Sequence, residues 1–325
     1  MTIWTAGRLA LAALAAAGFL TGPAAAQNYP SGPITLVNPY AAGGPADALS
    51  RTIIDPIATA LGQPIVLLNK AGGATAIAAS YVAGAPKDGY TLLLANASSH
   101  YVTPLLAKVN YDGMKDFSFI CMIAIVNNVL VVRKDLPAKS LQELIALAKS
   151  KPGGLSFGSV GNGSQPHLAG ELFQQMTGTK LTHVPYRGAA PATVDLLGGQ
   201  IDMGFLNAPP LLEHIRSGAL RALGVAALQR ASQLPDVPTL DEQGLKGFNV
   251  TTWYGISAPA GTPQPVIDKL AAAFKASVES DAVKSKLATQ GVEARYLGPK
   301  EFAAYLSDDQ KRMADLIKAA NIKAE

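Results

Sequence analysis

The stretch ITLVNPYAAGGPADALSR, residues 34 to 51, decides the fold. Five residues of strand character, Ile34 to Asn38, run into small residues, two glycines and a proline, after which apolar residues recur at helical spacing. A strand passing through a glycine turn into a helix is the opening half of a βαβ unit. In open α/β sheets the ligand site lies at the carboxyl ends of the strands, where this turn falls. Pro45 suits the first helical position and Gly44 the cap, which leaves the N–H groups of Ala46 and Asp47 unpaired and pointing along the helix axis. With the helix dipole behind them such groups favour an anion, and Gly43 and Gly44 let it approach the main chain.

Outward from this unit the pattern repeats. PIVLLN (64 to 69) and YTLLLAN (90 to 96) are short apolar runs separated by helical stretches near 45 to 61 and 74 to 84. A longer strand-like region, 117 to 134, carries Asn127 and Asn128. After it, KSLQELIALAKSKPGG (139 to 154) reads as a helix with a capping box at Ser140 and Glu143 and a stop at Gly153 and Gly154. LSFGSV (155 to 160), LTHVPY (181 to 186), IDMGFLN (201 to 207) and LRALGVAA (220 to 227) then restart the alternation, so a second α/β unit is expected. NVTTWYGISAP (249 to 259) is strand-like again. The remainder is helical, with Thr262 as cap and Pro263 at the first helical position, a helix near 281 to 290, and a last one opened by Gly298 and Pro299. These helices have no sheet of their own, which predicts a return to the first unit. The expected organisation is a first lobe over 27–126, a second over 127–250, and a return over 251–325, with crossovers near 125–129 and 249–254 acting as a hinge.

Residues 1–26 have the grammar of an export signal: Arg8, an apolar core from Leu9 to Leu20, and PAAA before Gln27. The core is about 12 residues against the ~20 needed to span a bilayer. Cleavage near Ala26 and a periplasmic protein are expected. Neither a twin-arginine pair nor a cysteine near the cleavage site is present. Of 27 basic side chains only Arg8 lies in this segment, so 26 face 23 acidic ones in the remainder. That excess is too small and scattered to argue for nucleic acid or an anionic membrane. Cys121 is the single cysteine and sits in an apolar run, where it reads as a buried core residue.

The glycine-loop construction recurs as GSVGNGSQPHLAGE (158 to 171), with Gly161, Asn162 and Gly163 after the strand, Ser164 as cap and Pro166 in the first turn. Each lobe is thus expected to offer one donor-rich helix start to a cleft. No GxxxxGK[ST] loop occurs, the dinucleotide pattern breaks at its third glycine, and Phe157 stands where a nucleophile elbow needs glycine. His100, His167, His183 and His214 are too dispersed for a zinc signature, so no metal and no cofactor is expected. Asp47 and Arg51 are spaced for an intrahelical ion pair.

Long ordered segments, among them ITLVNPYAAGGPADALSR, APKDGYTLLLAN, GSVGNGSQPHLAGELFQQMTG, HVPYRGAAPATVDLLGGQID and WYGISAPAGTP, resemble the TctC or Bug family of periplasmic solute receptors serving tripartite tricarboxylate transporters. The resemblance spans nearly the whole chain after residue 26. It implies a periplasmic binding protein fold, α/β, with two lobes of parallel-type sheets joined by a two-crossover hinge. It also implies that a carboxylate is held by backbone amides and ordered water in the loop Tyr40 to Asp47, which includes Ala42. In the second lobe it implies contacts from Gly161 to His167, with Asn162, Gly163 and Ser164 between, and from VPYRG, with Tyr186 and Arg187. Ser98 and Ser99 follow as the other first-lobe loop. Two departures stand out. Leu206 occupies a position where many members have an aspartate, leaving Asn207 as the nearest polar side chain and arguing against an amino-acid ligand there. GGATAIAAS (72 to 80) replaces a richer glycine run.

The function expected is a receptor, not an enzyme, that captures a mono-, di- or aromatic carboxylate between closing lobes and presents it to permease subunits in the membrane. Tyr40, Ser98, His167, Arg187 and Leu206 are the side chains expected to discriminate among acids. Monomeric behaviour is expected. The alternatives are an exported sensing partner of a membrane signalling protein, and an exported enzyme using His167 and Asp47 as an acid and base pair.

Overall fold

The computed structural model describes residues 29–151 and 154–322; the export signal expected over 1–26 lies outside them. Two sheets organise the chain. Strands β1 (Ile34–Asn38), β2 (Ile65–Asn69) and β3 (Thr91–Ala95) pair in parallel in the order β2-β1-β3. Helices α1 (Pro45–Leu61) and α2 (Ala76–Ala83) make their crossovers. A π-helical turn, Ser98–Val102, leads into the short α3 (Thr103–Leu106). The long strand β4 (Phe117–Val126) then passes through Asn127 alone into β5 (Asn128–Arg133), which belongs to the other sheet.

The second sheet continues with α4 (Leu141–Ser150), β6 (Ser156–Ser159), α5 (Gln165–Thr177), β7 (Thr182–Pro185), α6 (Ala189–Leu197), β8 (Met203–Asn207), α7 (Leu212–Arg216) and β9 (Leu220–Val225). Its order is β7-β6-β8-β5-β9. The chain returns through β10 (Thr252–Pro259), α8 (Gln264–Val278), α9 (Asp281–Thr289), β11 (Glu293–Leu297) and α10 (Pro299–Ala319), completing a first sheet of order β11-β4-β10-β3-β1-β2. Each sheet therefore holds three parallel strands followed by a reversed strand at the crossover side: β10 runs against both β3 and β4 in one, and β5 against both β8 and β9 in the other. A strand arriving from the opposite lobe enters from the cleft end, so it must run against its neighbours.

Strand β11 was hidden within a stretch expected to be helical. EARYL alternates weakly, and its strand character comes from pairing with β4, Glu293 opposite Ile125 and Ala294 opposite Ala124. Two helix starts also differ from expectation. The Thr262 hydroxyl donates to Pro259 O (2.8 Å), so it closes a turn instead of capping, and α8 begins one residue later, at Gln264, with Pro263 as cap. At α4, Ser140 caps the Glu143 N–H (3.2 Å) as expected, while the Glu143 carboxylate takes the Lys139 N–H (2.6 Å) in place of Ser140's own. The helix ends at Ser150.

One packing detail fixes the second glycine loop. A Cβ on Gly170 would stand 2.1 Å from the Phe157 ring, so only glycine lets α5 lie this close to β6. Cys121 is free and buried. Among the described residues no helix is long and apolar enough to cross a membrane, and no group of three or more His, Cys, Asp or Glu side chains is arranged to hold a metal ion.

Candidate functional site

Helix α1 begins at Pro45 with Gly44 as its cap in extended conformation, and no side chain caps it. The intrahelical ladder opens only with Ala48 N–H donating to Gly44 O (3.0 Å). Three other helices in the chain are capped by serine: Ser140, Ser164 and Ser280 each accept the N–H three residues on. Here the residue three on from the cap is Asp47, and glycine has no oxygen to offer its amide. Ala42 and Gly43 are exposed and Gly44 is half-buried, so the loop before the helix opens to solvent, while Ala46 and Asp47 are buried just behind it.

The Asp47 side chain is committed locally. Its carboxylate accepts from Gly43 N–H (3.1 Å), from Arg51 Nε (2.9 Å) and from Asn69 Nδ2 (3.1 Å). The Arg51 hydrogen bond, then the Gly43 N–H, hold its carboxyl down at about 2. The ion pair expected from the spacing is therefore present, and with it a fastening of the loop. One expected donor, Gly43 N–H, is already taken.

Asparagines do the positioning, and the sequence reading passed over three of them. Each strand of the parallel triplet leads into one: Asn38, Asn69 and Asn96. Asn38 Oδ1 accepts from Tyr40 N–H (3.2 Å), Asn69 Nδ2 also donates to Tyr40 O (3.0 Å), and Asn96 Nδ2 donates to the Tyr40 hydroxyl. Tyr40 is thus tied to all three strand ends, and burial pushes its hydroxyl up to about 12, so it is neutral at ordinary pH. Asn38 Nδ2 is fully buried and has no hydrogen-bond partner. The signal was visible in ITLVN, IVLLN and TLLLAN, where a short polar residue repeatedly closes an apolar run.

Ser98 and Ser99 part company. Ser98 is half-buried at the first position of the π-helical turn, whereas Ser99 is fully buried and locked to Asn96 by its N–H (2.9 Å to Oδ1) and by Asn96 N–H donating to its Oγ (3.0 Å). Ser99 therefore holds the loop and does not face a ligand.

The second glycine loop is not the twin of the first. Ser164 caps His167 N–H (3.3 Å) and donates to Gly161 O (2.6 Å), and Gly163 N–H donates to His167 Nδ1 (3.1 Å). Its donors are largely satisfied from within, against the expectation of two equivalent helix starts. The exposed Asn162 lies at its tip. His167 stacks on His183 at 3.9 Å between ring centroids, and His183 Nε2 meets Ser159 Oγ at 2.7 Å. Burial and the neighbouring His167 hold His183 down at about 4. His167 Nδ1 accepts from Gly163 and the Asp47 carboxylate from Gly43, Arg51 and Asn69, so each member of the acid and base pair weighed from sequence is engaged within its own lobe. Gly163 lies against the first lobe: a Cβ there would stand 2.8 Å from the side chain of Leu106, the last residue of α3.

Three remaining positions sort differently. Tyr186 donates to Asp195 (2.7 Å), and Arg187 is exposed. Leu206 has no exposed surface: it faces Val129 across the β5–β8 pair and packs among the apolar residues of that face, so it is removed from the cleft-lining set. Asn207, one residue on, points the other way and donates to Asn128 Oδ1 (2.8 Å) and Thr252 Oγ1 (3.1 Å), which ties β8 to both crossovers. Asn128 Nδ2 in turn donates to Val250 O (2.8 Å). The segment 72–76 adds a feature not anticipated: Ala74 and Thr75 both adopt positive φ, 47° and 81°, and Ala74 O accepts from Thr103 Oγ1 (2.7 Å). A β-branched residue in that region is strained, a condition that functional loops tolerate.

Residues 49–322 match the profile of the tripartite tricarboxylate transporter family receptors. Protein BugT of Bordetella pertussis is 36% identical over 95% of this chain and 95% of its own. Among solved structures, an R. palustris protein with adipate is 34% identical, with a TM-score of 0.78 over 91% of this chain and 99% of that one. MatC from Rhodopseudomonas palustris with bound malate is 32% identical, with a TM-score of 0.75 over 89% and 100%. By its sequence over nearly its whole length and by its two-lobed α/β architecture, the chain belongs to the TctC, or Bug, family of periplasmic solute-binding receptors.

Proposed function

We propose that this chain is an exported receptor that captures a small organic dicarboxylate in the cleft between its two sheets and hands it to a membrane permease of the tripartite tricarboxylate type. The observation carrying the reading is the uncapped start of α1, lying behind an exposed loop at the end of β1 and braced by asparagines. An anionic carboxylate completes that helix by accepting the Ala46 and Asp47 N–H groups, directly or through water. The two relatives solved with malate and adipate support the choice of ligand class. Residues 1–26 direct export. The lobes are 27–126 with 251–325, and 127–250, and they close by bending at Asn127–Asn128 and at 249–252. Once closed, the side chains of Tyr40, Ser98, Asn162 and Arg187 meet the rest of the ligand.

Closure follows because a ligand bridging both lobes binds the closed form better than the open one. Calorimetry against malate, adipate, acetate and an aromatic acid, on the protein and on Gly44→Val, tests the site. Gly44 has ordinary extended geometry and a Cβ there meets only Ala41 O at 3.5 Å, so the variant folds. The added methyls obstruct the approach to the amides and weaken dicarboxylate binding at least tenfold. Unchanged affinity in the folded variant defeats the site.

A further inference from the structure

A cavity of about 140 Å³ lies at the hinge, and none of the glycine-loop residues line it. Its walls come from both lobes and both crossovers: Asn127 from the β4–β5 junction, Thr251 from the return, Gln229 beyond β9, Glu293 and Arg295 on β11, and Tyr305 on α10. That volume is about five waters' share of liquid at roughly 30 Å³ each, so it suits a molecule of a handful of non-hydrogen atoms. The walls carry charge of both signs. Glu293 and Arg295 stand two residues apart on β11, about 7 Å along a strand. Asn127 Nδ2 approaches Glu293 at 3.5 Å, the outer limit of a hydrogen bond. Neither Glu293 nor Arg295 forms an ion pair among the described residues.

A lone anion here is attracted by Arg295 and repelled by Glu293, and a lone cation meets the reverse. A short molecule carrying both charges satisfies both walls. Side-chain amides and the Tyr305 hydroxyl share the lining with Ile125, Ala227 and Leu228, a mixed wall that suits a short molecule with charged ends and a few carbons between them. We propose that this cavity binds a small zwitterion of the amino-acid class, its carboxylate on Arg295 and its ammonium on Glu293, and that occupancy biases the opening and closing of the lobes. Because the walls belong to both lobes, bending at the hinge changes the distances between them, and a molecule fitting one angle better shifts the population toward it. By reciprocity the cleft ligand then alters affinity at the hinge by the same factor. The biasing half of the proposal rests on the lobe closure proposed above; the binding half does not.

Trp253 reports on the site, since its ring centroid is 6.3 Å from that of Tyr305 and it is the one tryptophan among the described residues. The protein is titrated with glycine, β-alanine, acetate and ethylamine, following Trp253 emission and equilibrium dialysis of labelled solute. The expected result is saturable binding of an amino acid, with acetate and ethylamine weaker by roughly tenfold or more. Arg295→Ala and Glu293→Gln, both at solvent-accessible positions, each lose about tenfold, and Gly44→Val keeps wild-type affinity. No saturable binding of either amino acid, binding unaltered in both β11 variants, or binding lost in Gly44→Val overturns the site. A severalfold change in malate affinity at saturating amino acid supports the bias, and no change overturns it. If malate fails to bind at all, the cleft reading falls, while the dialysis result still decides whether the hinge site exists.

Discussion

Replacing Gly44 by serine separates a free-donor account of the α1 terminus from a purely steric one. Serine is a better cap than glycine by a few tenths of a kcal/mol, because its oxygen accepts the N–H three residues on. The chain already does this at Ser140, Ser164 and Ser280, with distances of 3.2–3.3 Å. At position 44 the backbone is extended, φ −82° and ψ 173°, the same region those serines occupy, and a Cβ finds only ordinary contact. Gly44→Ser is therefore expected to leave the protein as stable or slightly more so, with a melting temperature moving upward by about 1 °C or less. Yet the serine oxygen takes the Asp47 N–H that the ligand needs. One hydrogen bond to a charged group is worth about 1.5–3 kcal/mol, so dicarboxylate affinity falls by roughly ten- to a hundredfold. Thermal melting and calorimetry on one preparation read both effects. A variant that melts at or above wild type and binds malate or adipate with wild-type affinity would refute the claim that the first-turn amides grip the ligand.

Two further outcomes follow from the hinge and the buried rings. Asn128→Ala removes the donor to Val250 O and the acceptor of Asn207 Nδ2, at a position with no exposed surface. The loss is expected to be about 1–3 kcal/mol of unfolding free energy, read as a lower denaturant midpoint, and an unchanged midpoint removes the lacing role of the asparagine pair. The histidines set the acid response: burial holds His183 at about 4 and His100 at about 3, both below the ordinary 6.5, so the folded protein refuses protons that the unfolded chain accepts. Stability is complete above pH 6.5 and declines as pH falls toward 4, by about 2–3 kcal/mol from His183. His183→Gln should flatten the dependence of melting temperature on pH between 6.5 and 4, and an unaltered slope contradicts it.

The Asp47 carboxylate shows where reading a sequence by eye stops. Its spacing from Arg51 announced an ion pair, and the pair is there. The same carboxylate also takes the Gly43 N–H four residues back, leaving one fewer free amide in the loop, while its bond from Asn69 depends on the side-by-side placement of β1 and β2. The second glycine loop repeats the lesson. GNGSQPH looks like AAGGPAD, but Ser164 and His167 consume its donors, and a capping serine is the opposite of an open anion seat. Leu206 fell on the wrong side for a simple reason: strand parity is a property of register, and position 206 faces the apolar layer while 207 faces the crossovers.

What the sequence by itself determined is everything governed by local chemistry: the strand–glycine–helix units, the uncapped start of α1, the asparagine pair at the crossover, and a lone cysteine destined for the core. These depend on residues within a turn or two of each other, where backbone preference and capping act without help. Only the tertiary structure decided that Asn69 and Asn96 reach Tyr40, how β10 and β11 run against the parallel strands, and that a charged pocket forms where both lobes meet the hinge. Each of those needs groups 20 to 240 residues apart to arrive at one place, as Lys269 reaches Tyr29 across 240 positions, and no periodicity in a single chain encodes such a meeting.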